Sequence, residues 1–127
     1  MFKIIYRTGI YCYKTKVPLH SGGMIASFCG NREVTICSPK SRAIGFFAYD
    51  GNVLFETGIA SICIGQGEYQ TDVYEPGKYE IEDLLYCSPN GKITNNPEFK
   101  GQLIGIVNHV CEEYVGFITA FSYQESI

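Results

Sequence analysis

Tryptophan is absent from this chain, histidine and methionine occur twice each, and no apolar run approaches membrane-spanning length. The last absence argues against a transmembrane helix. The first apolar stretch, Phe2–Tyr6, is interrupted by Lys3 and is too short for the apolar core of a secretory signal. The six cysteines (Cys12, Cys29, Cys37, Cys63, Cys87, Cys111) are scattered without a CxxC pair, and no histidine stands at zinc spacing from them. No metal site is therefore expected, and in a reducing cytosol the thiols read as small buried hydrophobes. N-glycosylation sequons, GxGxxG, phosphate-binding loops, GxSxG and HExxH are all missing. A non-enzyme without a cofactor is the expectation.

What is present is aromatic and glycine-rich: ten Tyr, eight Phe and 14 Gly in 127 residues, with 46% hydrophobic content. That length suits one domain with a sizeable core, and the composition favours strands and tight turns. Strand candidates recur about every ten residues. They are Phe2–Tyr6, Ile10–Tyr13, Met24–Cys29, Val34–Cys37, Ala43–Tyr49, Asn52–Glu56, Gly58–Ile64, Glu68–Tyr74, Tyr79–Ile81, Leu84–Cys87, Lys92–Thr94, Gln102–Val110 and Tyr114–Phe121. Asp50-Gly51 reads as a hairpin turn between two of them. In DLLYCSPNGKIT, Pro89 cannot donate across a two-residue turn, so the turn shifts by one residue. Ser88 opens it, Pro89 presets φ, Asn90 follows, and Gly91 takes the left-handed conformation of a G1 bulge. The pattern predicts one all-β domain over residues 1–127, an antiparallel barrel or sandwich. Residues 1–42 form an N-terminal β-rich segment or arm, and residues 43–127 the barrel core. The last two strands are apolar on both faces, which predicts a second cover, either the N-terminal segment or a neighbouring subunit.

Charge is unevenly distributed along the chain. Residues 1–42 carry seven basic groups against Glu33 alone, while residues 50–98 carry nine acids against Lys78 and Lys92. Either the strands interleave and the charges mix, or the basic end meets an acidic surface on a partner or another copy. Arg7, Lys14, Lys16, Lys40 and Arg42 are the candidate contacts. Nucleic acid is not the expected partner, because the bases are dispersed and the chain is acidic overall.

Three clusters could carry chemistry. His109 and Cys111 share a strand face at spacing two, but the simpler reading is a buried thiol beside a partly exposed imidazole. His20 beside Ser21-Gly22-Gly23 could border an anion nest, or be a plain loop residue. Glu80, Glu82 and Asp83 could attract a cation, but lack the loop spacing of a dedicated calcium site.

The segments AIGFFAYDGNVLFE, GQGEYQTDVYE, YEIEDLLYCSPNGKIT, GQLIGIVNHV and YVGFITAF, spread over residues 43–121, together resemble the small β-barrel decoration (cement) proteins of tailed-bacteriophage capsids. In that family a Gly-Asp-Leu-Leu-Tyr strand turns through Asn-Gly into an Ile-Thr strand. This chain departs from the pattern with Glu82 in place of the glycine and with more cysteines. The resemblance implies a structural virion protein, made in the host cytoplasm and commonly trimeric. It would sit on the capsid exterior, bridging major capsid subunits. A tail- or fibre-associated carbohydrate-binding β domain, its tyrosines stacking on sugars, is the alternative. A small thiol enzyme using Cys111 is a further one.

Overall fold

A computed structural model describes residues 1–17, 20–51 and 58–123. They form nine strands: β1 (Phe2–Thr15), β2 (Ile25–Gly30), β3 (Glu33–Ile36), β4 (Gly45–Phe47), β5 (Ile59–Thr71), β6 (Leu84–Cys87), β7 (Ile93–Thr94), β8 (Gln102–Val110) and β9 (Val115–Tyr123). One 3-10 turn, Pro97–Phe99, is capped by the Asn96 side chain. The all-β expectation holds. Among the described residues no helix is long and apolar enough to cross a membrane. The expected strand Asn52–Glu56, the second arm of the Asp50-Gly51 hairpin, lies outside the described residues.

The sheet order is β1-β3-β2-β4-β5-β9-β8-β6-β7, and β1 returns to pair with β5. Strands β1, β3, β2, β4 and β5 therefore close a small ring. A larger one runs from β2 through β4, β5, β9 and β8 to the β6–β7 hairpin. The Gly91 carbonyl of that hairpin accepts from the Ile25 amide of β2 at 2.8 Å. One departure from the antiparallel expectation is the β1–β3 pair, which is parallel through Lys14↔Glu33 and Thr15↔Val34. This is possible because β1 and β3 are not joined by a tight turn; β2 lies between them in sequence.

The two rings share the wall β2–β4–β5, which is buried on both faces. Ile25, Phe46 and Cys63 point into the larger core with Tyr69, Leu85, Ile104, Val107, Val115 and Phe117. Their sequence neighbours Ala26, Phe47 and Ile62 point into the smaller core with Val34 and Ala60. Alternation of side chains along a strand makes Phe46-Phe47 serve both cores at once. Burying each ring contributes about 1.5–3 kcal/mol. So β4 is the strand covered on both faces within one chain, while the second apolar face of β8 and β9 is left partly exposed. On β9, Val115 and Phe117 are buried whereas Ile118 is 41% exposed.

Two pairs of expected strands are single long ones. Phe2–Tyr6 and Ile10–Tyr13 both lie in β1, and β5 takes in Ile59–Ile64 and Glu68–Thr71, ending three residues short of the expected Tyr74. A first register shift, at Ile4/Tyr6, lies within Phe2–Tyr6; a second, at Arg7/Gly9, absorbs the gap between each pair. At the second shift Gly65 takes φ 91°, and the Thr8 hydroxyl bonds the Ile64 and Gln66 carbonyls at 3.1 and 3.2 Å, bridging the bulge. Residues 1–42 are accordingly not a separate arm. β1 pairs with β5 from Phe2↔Thr71 to Lys14↔Ile59, and Phe2 stacks on Tyr69 with ring centroids 5.0 Å apart.

Tyr79–Ile81 is not a strand. The Asp83 carboxylate accepts from the Glu80 amide at 2.8 Å, and Asp83 N donates to Glu80 O, closing a turn with Glu82 at φ 74°. Tyr79 is buried as an anchor, its hydroxyl donating to Glu75 O at 2.6 Å.

Candidate interaction surface

The parallel β1–β3 contact brings distant basic residues together. Lys14 on β1 donates its amide to Arg32 O at 3.1 Å, placing Lys14 beside the β2–β3 turn. Arg32 lies over the Tyr13 ring at 5.5 Å, and Tyr13 meets Phe28 edge-to-face at 5.1 Å. A shallow cleft of about 270 Å³ opens there, lined by Cys12, Tyr13, Lys14, Asn31, Arg32 and Ile59. Lys16 follows β1 and reaches Glu33 at 3.6 Å, an exposed pair worth at most about 1 kcal/mol. Arg32 holds φ 53°, a conformation that costs a non-glycine residue about 1–2 kcal/mol.

Arg7 continues the basic character along β1. With Ile5, Tyr6 and Thr8 it forms four consecutive exposed residues, and Ile5, Tyr6 and Tyr11 are 43%, 59% and 53% exposed. Lys40 and Arg42 are exposed on a different element, the β3–β4 connection. That connection is held by Gln102, whose Oε1 accepts from Ala43 N at 2.9 Å and whose Nε2 bonds Ser41 O. The five sequence candidates thus fall in two places. Arg32, Tyr13, Phe28 and Ile59 complete the first place and were not singled out from sequence. The nearness of Arg32 to Lys14 depends on pairing between distant strands.

Charges mix only in part. The N-terminal amine reaches Asp72 across the β1–β5 pair, and Tyr6 lies opposite Glu68, whereas Lys78 reaches Glu80 within one loop at 3.6 Å.

The turn residues have backbone partners. Asp50 Oδ1 accepts from Gly22 N at 2.7 Å, and Gly51 N donates to His20 O at 2.7 Å. The nest considered beside His20 is thus filled by the chain's own carboxylate, while the His20 ring packs on Phe47 at 4.2 Å. Gly91 N donates to Ser88 O at 3.0 Å with Gly91 at φ 74°, and Ser88 N donates to Lys92 O at 2.9 Å. Pro89 and Asn90 form the exposed tip between them; Asn90 N and Lys92 N both donate to Ser88 Oγ at 3.2 Å.

The clusters considered for chemistry are arranged differently from expectation. His109 pairs with Tyr114, the rings stacked at 5.2 Å and Nε2 3.1 Å from the phenol oxygen. Cys111 lies past the end of β8, in the turn closed by Cys111 N to Tyr114 O, so the pair does not share a strand face. The Glu80, Glu82 and Asp83 carboxylates do not line one strand face either, because that segment is the turn described above. Among the described residues no group of three or more His, Cys, Asp or Glu could hold a metal ion.

The tyrosines are dispersed. Tyr69 and Tyr79 are buried, Tyr74 packs edge-to-face on Tyr79, and Tyr6, Tyr11 and Tyr49 are exposed. Cys37, Cys63 and Cys87 are buried free thiols, whereas Cys12, Cys29 and Cys111 are exposed. Cys37 and Cys87 meet beside Gln102. The hydrogen bond from Cys87 holds the Cys37 thiol below its ordinary range, and the same contact, with burial, pushes Cys87 up.

No protein-family model matches the chain, and no curated protein matches it.

Proposed function

We propose that this chain is a non-enzymatic structural protein of the capsid-decoration type, binding the exterior of a phage shell and bridging its major capsid subunits. The observation that carries the reading is the local form of DLLYCSPNGKIT. Position 82, where the family has glycine, sits at φ 74°, the conformation glycine adopts without strain. The chain then runs through β6, the Ser88–Gly91 turn and β7, with β6 pairing to β8 through Leu84↔Ile106. The departure at Glu82 is one of side chain, not of backbone geometry.

The basic and aromatic end around Lys14 and Arg32, with Arg7 along β1, is the face that would lie on an acidic shell. Exposed Leu84 and Ile118 flank Ile106 in register across β6, β8 and β9, a row suited to contact between copies in a homotrimer. The dispersed tyrosines favour core and interface roles over a single sugar site.

Co-sedimentation with empty capsids tests the reading. Exchanging Lys14, Lys16, Lys40 and Arg42 for Ser should weaken binding and flatten its salt dependence. Unchanged binding, or a strictly monomeric protein that engages no particle, would sink it.

A further inference from the structure

We infer that the outer edge of β1, from Lys3 to Tyr11, accepts an extended acidic segment of another protein as an added β-strand. β1 is a 14-residue strand that pairs with β5 along one edge from end to end. Among the described residues its other edge is paired only at Lys14 and Thr15, through β3. Among the described residues the intervening backbone edge has no strand partner, a row of donors and acceptors that folded proteins normally cover or shorten. The bulges at Ile4/Tyr6 and Arg7/Gly9 twist this edge locally without ending it, since pairing to β5 resumes after each. Side chains along it are exposed on both faces over Ile5–Thr8.

Charge selects the occupant. β1 carries Lys3, Arg7 and Lys14 and no acid, so a second copy of β1 would bring only like charges together. Nor can another copy supply an acidic strand from its described residues. Glu33 lies in β3, between β1 and β2, Glu68 lies in β5, between β1 and β9, and the other acids of the described residues lie outside the strands. A foreign segment alternating acidic and β-branched residues meets the requirement: main-chain bonds supply affinity, and its carboxylates meet Lys3 and Arg7.

The inference rests on the surface-binding role proposed above, and the two fail separately. The probes are three eight-residue synthetic peptides: alternating Glu-Val, the same with alternate amides N-methylated, and alternating Lys-Val. Binding is read by hydrogen exchange of the β1 amides at low ionic strength. The Glu-Val peptide should slow that exchange and bind about tenfold more tightly than either of the others. Lys3→Glu with Arg7→Glu, both exposed changes, should reverse the preference toward Lys-Val. Equal binding of the N-methylated peptide overturns strand addition, and equal binding of Lys-Val overturns the charge selection. Protection of the same amides that rises with protein concentration alone would assign the edge to a second copy and overturn the proposal. Failure of the peptides alongside retained capsid binding removes strand addition alone. Peptide binding without capsid binding removes the shell-binding role instead.

Discussion

The Ile25 amide and the Gly91 carbonyl lie 2.8 Å apart, and their hydrogen bond joins the two ends of the larger barrel. A short turn therefore has a long-range duty. A Cβ added at Gly91 would run into the Ile36 side chain and stand 3.2 Å from Cys37 O, in a backbone conformation at φ 74°. Gly91→Ala should lower stability by about 2–3 kcal/mol, which for a domain of this size is a fall of roughly 8 °C or more in Tm. Calorimetry checks it; a loss below about 0.5 kcal/mol would show that the seam tolerates the change.

Glu82 is the converse case. It is exposed and holds a left-handed conformation that favours glycine. Glu82→Gly should raise stability by about 1 kcal/mol, since relief of strain exceeds the added chain entropy. Urea denaturation reads this as a higher midpoint with an unchanged slope.

Burial pushes the Tyr79 phenol from 10.0 up to about 12, and burial moves Tyr69 in the same direction. Their neutral forms are the ones the fold accommodates. The stabilisation is fully present below the unfolded value and is lost as pH rises through the folded one. Stability should fall between pH 10 and 12 for Tyr79. Tyr79→Phe should lose about 1 kcal/mol at neutral pH, because the bond to Glu75 O goes, and show a shallower alkaline decline. Denaturation midpoints measured across the alkaline range would expose a variant that declines as steeply as the parent.

Thiol labelling separates the cysteines. Under native conditions alkylation should modify three of six, Cys12, Cys29 and Cys111, with Cys37, Cys63 and Cys87 reacting only on unfolding. Desolvation and then the Glu33 carboxylate, 3.7 Å from its sulfur, push the Cys29 thiol up. Glu33→Gln should speed Cys29 alkylation by about threefold, read by peptide mass mapping.

Legibility from sequence followed the range of the interactions. The Ser88–Gly91 turn was readable to the residue because proline, serine and glycine impose it locally. Gln102–Val110 matched β8 for a similar reason: its centre, Leu103–Val107, is a local apolar run, and a turn follows Val110. The joins within β1 and β5 were not legible, since a glycine in a bulge carries the same composition signal as one in a turn. Tyr79–Ile81 misled because an alternating Tyr-Glu-Ile-Glu run has strand periodicity, whereas the bonds between Glu80 and Asp83 close a loop. The grouping of Lys14 with Arg32 was beyond reach, because nothing near either residue specifies the β1–β3 pairing.

The shared wall also sets the order in which the molecule can be completed. β1 is made before the other described strands, yet its main partner, β5, ends only at Thr71, and the seam at Gly91 comes later still. The smaller barrel cannot close before β5 is complete, nor the larger one before the Gly91 seam and β8–β9 are made. Cutting at Ser38–Ser41 should yield no half that folds by itself, because each half would lack one side of β2–β4–β5. Synthesis must carry an uncovered basic strand through β2, β3, β4 and β5 before any ring exists to receive it.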